Sequence, residues 1–179
     1  MRFTQTALQG AIIVDLERHS DDRGSFARVF CPNEFRAHGL NPAIAQINVS
    51  HNHRRGTLRG LHYQRSPAEE AKFVRCVQGS LYSVIVDLRP DSPTRFQSLG
   101  VELTADNGRA LYVPELCANS YLALEDNTVA LYHTSAFYTP GAEEGLRFDD
   151  PALDIDWPIP PTIISDKDRD WPLLSEQQI

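Results

Sequence analysis

Frequent turn-forming residues limit this chain to short secondary-structure elements. Twelve prolines and ten glycines are spread over its 179 residues. The runs between them are rich in β-branched and aromatic residues, most clearly at 72–77, 81–88, 110–113 and 128–132. Short strands separated by turn signals are typical of a β-sandwich or barrel. We therefore predict a mainly β protein.

Three segments outside these runs have local signals of their own. A short helix is predicted at Pro32–His38, with Gly39 as its C-terminal stop. The sequence Asp106-Asn107-Gly108 predicts a hairpin-type turn. The C-terminal segment 149–179 has four prolines between positions 151 and 161, which predicts an extended wrap. Because no linker or repeat interrupts the chain, we expect one domain over residues 1–179.

Charge and cysteine content narrow the classes of partner and location. The net charge of −7 argues against a nucleic-acid polymer as partner, since phosphate binding needs a basic face. No apolar run of about 18 residues or more is present, so we expect neither a membrane span nor a signal peptide. The cysteines, at 31, 76 and 117, form no close pair. This spacing favours a soluble protein of the reducing cytoplasm.

Lysine is rare among the 17 basic residues, and only Lys72 and Lys167 are lysines. In the predicted strand, Lys72 shares a face with Val74 and Cys76 because alternate side chains point the same way. One interpretation is that Lys72 lies near a strand end and extends its ammonium to water. The other is a functional cation in a pocket, which would bind an anionic group.

A second predicted strand alternates polar and apolar residues. Gln46, Asn48 and Ser50 alternate with Ile47 and Val49, so three hydrogen-bonding side chains share one face. That face is either turned to solvent or lines an interior that binds a polar ligand. Both interpretations remain open from the sequence.

The segment after this strand contains Arg59 and His62, which simple alternation places on opposite faces. Both can serve one pocket only if Gly60 kinks or bulges the strand. His62 is followed by Tyr63 and Gln64 rather than by a second histidine. Only His62 and Glu70 remain as potential metal ligands, which are too few for a transition-metal site. We therefore predict no metal.

A series of short motifs extends over essentially the whole chain. The most specific is Arg59–Gln64, with Asp22–Phe26 upstream. Further motifs lie at 70–75, 86–89, 112–114, 132, 138–140, 149–151 and 164–168. Together they resemble the dTDP-4-dehydrorhamnose 3,5-epimerase family of metal-free cupins. The resemblance implies a cupin-type double-stranded β-helix (jelly-roll) barrel with short peripheral helices, and no cofactor.

The resemblance also implies a reaction, namely inversion of carbons beside the ketone of a 4-keto-6-deoxyhexose carried on a nucleoside diphosphate, in deoxysugar (rhamnose-like) biosynthesis. Such chemistry requires a base, a group that stabilises the enolate oxygen, and an acid. By similarity, His62 is the base and Asp168 orients it. Lys72 stabilises the enolate, and Tyr132 is the proton donor.

The same resemblance implies the residues that bind the nucleotide sugar. They are Arg23, Phe26, Gln46, Asn48, Arg59, Asn119, Tyr138, Glu143 and Lys167. Arginine forks suit phosphate oxygens, which explains how an acidic protein binds an anionic substrate. Family members are usually homodimers that exchange an N-terminal strand. We therefore expect region 1–30 to be exchanged and Arg23 and Phe26 to serve the partner's site.

The chain departs from the family pattern at three positions. Asn119 and Ser83 replace a histidine and an aspartate, and Arg28 replaces a glutamate that contacts the nucleotide in many members. Asparagine can donate a hydrogen bond to an oxyanion or phosphate but cannot titrate near neutral pH. The alternatives to a double epimerase are therefore a single-carbon epimerase of a different nucleotide sugar and a non-catalytic nucleotide-sugar-binding cupin. A 3,4-ketoisomerase cupin matches the site residues less well.

Overall fold

A computed structural model describes residues 1–176 of the chain. Its strands are β1 (Arg2–Gln5), β2 (Ile12–Asp15), β3 (His19–Asp21), β4 (Gly24–Phe26), β5 (Gln46–Asn52), β6 (Leu58–Gln64), β7 (Lys72–Gln78), β8 (Ser80–Asp87), β9 (Ser98–Thr104), β10 (Ala110–Val113), β11 (Cys117–Ala123), β12 (Thr128–Thr134) and β13 (Glu143–Gly145). Two helices, α1 (Pro32–Ala37) and α2 (Asp166–Arg169), and a 3₁₀ turn (Leu174–Glu176) complete the elements. The four predicted strand runs are confirmed as β7, β8, β10 and β12.

Two antiparallel sheets face each other. The six-stranded sheet has the order β1-β2-β10-β7-β12-β5, and the five-stranded sheet has the order β13-β6-β11-β8-β9. Strands β3 and β4 pair only with each other and form a separate hairpin. This arrangement is the mainly β jelly-roll barrel, with short peripheral helices, that the sequence predicts.

The predicted helix is confirmed as α1, one residue shorter than expected. Pro32 occupies its first turn, where a missing backbone N–H costs nothing. His38 is the C-cap, and Gly39 follows with a φ of +71°, a left-handed conformation that ends the helix. Phe35 of α1 packs against Phe73 and Tyr112 on the outer face of the six-stranded sheet.

The predicted turn at 106–108 is present, but the interpretation as a hairpin is wrong. The strands before and after it, β9 and β10, lie in different sheets, because β9 pairs with β8 while β10 pairs with β2 and β7. Asn107 stabilises the turn, since its Oδ1 accepts the N–H groups of Thr104 and Arg109. The turn therefore carries the chain from one sheet to the other.

The space between the sheets differs from one side of the barrel to the other. In the closed half, between β8 and β9 on one sheet and β2 and β10 on the other, apolar side chains fill the interior. In the open half, the inner faces of β5, β12, β6 and β11 separate around a cavity. The inner face of β7 reaches both halves, with Lys72 at the cavity and Cys76 in the apolar core.

The outer faces of the two sheets are also unequal. Leu153 and Trp157 of the C-terminal segment pack with Leu61 and Val84 on the outer face of the five-stranded sheet. On the six-stranded sheet, α1 covers one end, while the outer faces of β5 and β7 remain exposed at the other. Within residues 1–176, no helix is long and apolar enough to cross a membrane.

Candidate active site

The open half of the barrel contains a cavity of about 630 Å³, which is the size of a small-molecule site. Polar and charged side chains from both sheets and from α2 line it. They include most of the residues singled out by sequence: Gln46, Asn48, Arg59, His62, Lys72, Asn119, Tyr132, Tyr138, Glu143, Lys167 and Asp168.

A bulge at Gly60 brings Arg59 and His62 to the same cavity, as predicted. His62 pairs with Asn119 of β11, whereas Arg59 pairs with Tyr121, so β6 has one more residue than β11 over this interval. Gly60 has a φ of +108°, and a Cβ there would lie 2.5 Å from the carbonyl oxygen of Asn119. Only glycine fits this position.

His62 and Asp168 form a hydrogen-bonded pair. His62 Nε2 lies 2.6 Å from Asp168 Oδ1, and the Gly60 N–H donates to Asp168 Oδ2 at 3.2 Å. Burial raises the pKa of Asp168, but its hydrogen bonds, first that from His62, outweigh burial and lower the pKa from its ordinary value. An ionised carboxylate only accepts, so His62 Nε2 carries a proton directed at Asp168, and in the neutral imidazole the free lone pair is then on Nδ1.

The first turn of α2 holds Asp168 in this position. The Ser165 hydroxyl caps the helix by accepting the Asp168 N–H at 3.1 Å. Glu143 lies on the other side of the imidazole, with its Oε1 3.7 Å from His62 Nδ1. Glu143 also forms an ion pair with Lys167. The imidazole therefore lies between two carboxylates, and the one at Nδ1 is the more distant.

Lys72 lies inside the barrel, and the interpretation that it extends to water is wrong. Its side chain is 12% exposed, and its Nζ lies 3.1 Å from Glu70 Oε1. The ammonium also donates to the backbone oxygen of His62 at 3.1 Å. Lysine at the start of β7 faces the interior because it shares a face with Val74. Two partners leave one N–H of the ammonium for a ligand in the cavity.

Tyr132 approaches the cavity from β12, where it pairs with Val74 of β7. Burial raises the pKa of Tyr132, and the nearby negative charge of Glu70 raises it further. Tyr121 on β11 also lines the cavity, and burial raises its pKa to about 12. Both phenols therefore keep their protons at neutral pH.

The polar face of β5 is turned inward, and the interpretation of a solvent-facing polar strand is wrong. Gln46, Asn48 and Ser50 line the cavity, whereas Ile47 and Val49 point outward and are 58% and 57% exposed. The side-chain oxygen of Gln46 accepts the backbone N–H of Tyr138 at 2.7 Å, which holds the loop after β12 against the cavity.

Basic and aromatic side chains surround the opening of the cavity. Arg59 Nε donates to Asn52 Oδ1 at 2.9 Å, which fixes the guanidinium on β6. Lys167 contributes a second cation, and its hydrogen bond with Glu143 raises its pKa. Tyr138 is 55% exposed. Two cations and an exposed ring are suited to a phosphate-linked base.

Asn119 and Ser83 form a neutral pair beside His62. The Asn119 Nδ2 group donates to Ser83 Oγ at 3.2 Å and to the Val84 backbone oxygen at 3.0 Å. The N–H groups of this amide are therefore used inside the sheet.

Arg23 and Phe26 lie apart from the other predicted site residues. They belong to the β3–β4 hairpin, where their exposures are 89% for the Arg23 side chain and 74% for Phe26. Arg23 forms an ion pair with Asp21, and neither residue lines the cavity. Arg28 is also remote from the cavity and pairs with Glu34 at 3.0 Å.

Several residues line or support the site in roles that the sequence did not indicate. Glu70 pairs with Lys72, Tyr121 lines the cavity, and Asn52 holds Arg59. Trp171 lies beside the base, with its ring centroid 6.3 Å from that of His62. A Cβ at Gly145 would lie 2.4 Å from the indole. The sequence carried a signal for Glu70, because a carboxylate two residues before Lys72 is close enough to pair with it. The Trp171 contact depends on tertiary packing and has no such signal.

Glu70, one of the two potential metal ligands considered from the sequence, forms an ion pair with Lys72. Within residues 1–176, no group of three or more His, Cys, Asp or Glu side chains is arranged to hold a metal ion.

Comparisons with known proteins agree with this geometry. Residues 5–176 match the family model of dTDP-4-dehydrorhamnose 3,5-epimerase. The chain is 40% identical to the dTDP-4-dehydrorhamnose 3,5-epimerase of Methanothermobacter thermautotrophicus, over 99% of this chain and 97% of that one.

Solved structures give the same result. A dTDP-4-dehydrorhamnose 3,5-epimerase from Elizabethkingia anophelis superposes with a TM-score of 0.96 at 34% identity, covering 99% of this chain and 98% of its own. A 3′-monoepimerase from Streptomyces bikiniensis in complex with dTDP-quinovose gives a TM-score of 0.87 at 35% identity, covering 95% and 86%. This chain belongs to the dTDP-4-dehydrorhamnose 3,5-epimerase family.

Proposed function

We propose that the protein is an isomerase that inverts one or both carbons beside the ketone of a dTDP-linked 4-keto-6-deoxyhexose, in deoxysugar biosynthesis. The observation that carries this proposal is the grouping of the His62–Asp168 pair with Lys72 and Tyr132 around one cavity. These are a base, a cation and an acid, which are the three groups that carbon-acid chemistry requires.

The reaction follows from the protonation states. His62 Nδ1 removes the proton from the carbon beside the ketone, and the C–H electron pair forms the enolate. Asp168 accepts the hydrogen bond from Nε2 and stabilises the imidazolium. The Lys72 ammonium stabilises the enolate oxygen with its remaining N–H. Tyr132 returns a proton to the opposite face, and both groups then exchange protons with solvent.

The nucleotide is proposed to bind at the opening of the cavity. Arg59 and Lys167 supply positive charge for the diphosphate, and Tyr138 supplies a ring for the base. Gln46 and Asn48 supply amide groups on the inner face of β5. The similar monoepimerase binds dTDP-quinovose, which supports dTDP as the carrier.

A homodimer is part of this proposal. The β3–β4 hairpin pairs with no other strand among residues 1–176, yet it presents Arg23 and Phe26 to solvent. The outer face of the six-stranded sheet exposes Ile47, Val49 and Val77. β1 and β2 pair within the six-stranded sheet of the same chain, so the exchange expected for region 1–30 is proposed only for the hairpin. A second copy that covers this face and receives the hairpin would bury these side chains and add Arg23 to each site.

The dimer is tested by sedimentation. We expect the wild-type protein to sediment as a dimer and Val49→Arg to sediment as a monomer. Arg23→Ala is expected to remain a dimer and to bind dTDP more weakly. A monomeric wild-type protein, or unchanged dTDP affinity in Arg23→Ala, would contradict this part of the proposal.

The proposal also includes a cytoplasmic location and a single domain. The cysteines are free thiols, which supports a cytoplasmic location. The family model extends from residue 5 to 176, which supports one domain over 1–179 with its C-terminal wrap. The last three residues of that wrap, 177–179, lie outside the described part of the chain.

A single-carbon epimerase is the second candidate. Asn119 and Ser83 carry no titratable group, so these two positions do not supply a second imidazole–carboxylate pair beside His62. A similar protein of known structure is a monoepimerase.

The proposal is tested by incubating the protein with dTDP-4-keto-6-deoxyglucose and reading the configuration at C3 and C5 by NMR. Inversion at both carbons supports the double epimerase, and inversion at one supports the second candidate. Binding without inversion at either carbon would contradict the enzyme and favour a nucleotide-sugar-binding cupin. Thermal stabilisation by dTDP, compared with UDP, GDP and CDP, tests the nucleotide.

A further inference from the structure

The side-chain amide of Asn119 has a fixed orientation. Three acceptors surround its Nδ2 group, namely Ser83 Oγ at 3.2 Å, the Val84 carbonyl at 3.0 Å and the Ser120 carbonyl at 3.2 Å. Two of these are backbone carbonyls, which only accept hydrogen bonds. The opposite amide orientation would place oxygen against oxygen. The contacts therefore require nitrogen on the inner side of the amide.

Ser83 reinforces this orientation. Its hydroxyl donates to the Ser120 carbonyl at 3.3 Å, which leaves its lone pairs for the Asn119 amide. Ser83 is completely buried and Asn119 is 7% exposed. The pair is therefore held by β8 and β11 rather than by solvent, and a rotation of the amide would break several buried hydrogen bonds.

The side-chain oxygen of Asn119 is the part of the amide that is available to a ligand in the cavity. Asn119 lines the cavity, and its Oδ1 has no hydrogen-bond partner within residues 1–176. The atom is not fully buried, so a ligand in the cavity can reach it. Asn119 is also the cross-strand partner of His62. A hydrogen-bond acceptor thus lies beside the base, while Lys72 supplies the donor for the enolate.

We propose that Asn119 Oδ1 determines sugar specificity by accepting a hydrogen bond from the sugar hydroxyl at C2 or C3. This inference rests on the proposed function. A 4-keto-6-deoxyhexose retains hydroxyls at C2 and C3, and either is a donor. An acceptor repels an oxyanion, so Asn119 recognises the sugar and takes no part in stabilising the enolate.

The test is a double-mutant cycle between protein and ligand. The ligands are dTDP-quinovose and its 2-deoxy and 3-deoxy analogues, which bind without reacting because they lack the ketone. We expect one analogue to bind the wild-type protein about threefold to tenfold more weakly than dTDP-quinovose, the effect of one hydrogen bond. In Asn119→Ala, that analogue and dTDP-quinovose should bind equally. Asn33→Ala, an exposed amide on α1, is the matched control.

Each outcome has a defined meaning. A penalty that persists in full in Asn119→Ala, or no penalty for either analogue in the wild-type protein, would overturn the assignment. The wild-type arm does not depend on the folding of any variant. The proposed function is tested separately by inversion of the ketosugar, so an active epimerase with no Asn119 coupling would refute this inference alone.

Discussion

The open and closed halves of the barrel are built from the same two sheets but bury different kinds of side chain. In the closed half, mainly aliphatic residues fill the interior together with Cys76, Cys117 and Tyr121. In the open half, the buried ionisable groups occur in pairs, such as His62 with Asp168 and Lys72 with Glu70. Burial of apolar side chains stabilises the fold but does not depend on their orientation. Buried ion pairs cost desolvation free energy, and their geometry fixes the orientation of each charged group.

The inner face of β7 shows this contrast within five residues. Lys72 begins the face at the cavity, Val74 follows, and Cys76 ends it in the apolar core. A substitution at the first position should therefore change catalysis, and a substitution at the last should change stability. If substitutions at both positions changed catalysis and stability to the same extent, the contrast between the two halves would be wrong.

The largest expected difference is between Lys72→Met and Cys76→Ala. Lys72→Met keeps the length of the side chain but removes the cation, so we expect kcat to fall by about 100- to 1000-fold. Cys76→Ala should leave kcat unchanged and lower the free energy of unfolding by about 1 kcal/mol. Steady-state kinetics and urea denaturation measure both. Equal losses of kcat in the two variants would remove the distinction between the halves.

Tyr132→Phe should separate proton removal from proton return. The phenyl ring fills the same space on β12 but cannot donate, so inversion should slow by about 100-fold. His62 can still remove the proton and return a solvent-exchanged one to the same face, so deuterium exchange should slow less than inversion. NMR measures both rates on one sample. An equal loss of both would show that Tyr132 acts before the enolate forms.

Asp87, at the end of β8, provides a charge whose role is structural. It accepts hydrogen bonds from Arg89 Nε at 2.9 Å and from Thr94 Oγ1 at 2.7 Å, and it is completely buried. We expect Asp87→Asn to lower the free energy of unfolding by about 3 kcal/mol, because Arg89 loses its partner. The kcat of the folded variant should be unchanged.

The pH dependence of this loss has a definite sign. Burial raises the pKa of Asp87, but the hydrogen bonds from Arg89, Ser92 and Thr94 outweigh it and hold the pKa below its ordinary value. The stabilisation is therefore fully present above the unfolded pKa of about 3.9 and is lost as pH falls through the folded pKa. The difference between wild type and Asp87→Asn should narrow below about pH 4. A difference that widens on acidification would contradict this account.

The smallest effect is expected at Trp171. Its ring contacts the edge of the site, near His62 and 5.7 Å from Lys167 Nζ, without touching the reacting groups. Trp171→Ala should lower kcat/KM by about threefold to tenfold through weaker positioning of Lys167. Trp157→Phe, on the outer face of the five-stranded sheet, is the control and should change only stability. A loss above 100-fold for Trp171→Ala would place the indole in the chemistry.

The features predicted from sequence are those that depend on local periodicity. Alternation along β5 and β7 defined the two possible faces for Gln46 and Lys72, and the bulge at Gly60 followed from the need to bring Arg59 and His62 together. The strands and α1 were recognised from turn residues and composition. The motifs of the family resemblance identified most of the residues that line the cavity.

The features that sequence reasoning missed depend on contacts between distant segments. The turn at 106–108 joins strands of different sheets, which local turn chemistry does not distinguish from a hairpin. The orientation of the Asn119 amide depends on three acceptors from β8 and β11. The position of Trp171 depends on the absence of a side chain at Gly145. None of these contacts has a local periodic signal.

Solvent deuterium exchange tests the central claim, that His62 removes a proton from carbon in the open half. The wild-type protein and His62→Asn are each incubated with dTDP-4-keto-6-deoxyglucose in deuterated water, and deuterium at C3 and C5 is followed by NMR. We expect exchange at one or both carbons in the wild-type protein and a loss of rate of 100-fold or more in His62→Asn. No exchange in the wild-type protein, or an equal rate in His62→Asn, would contradict the account.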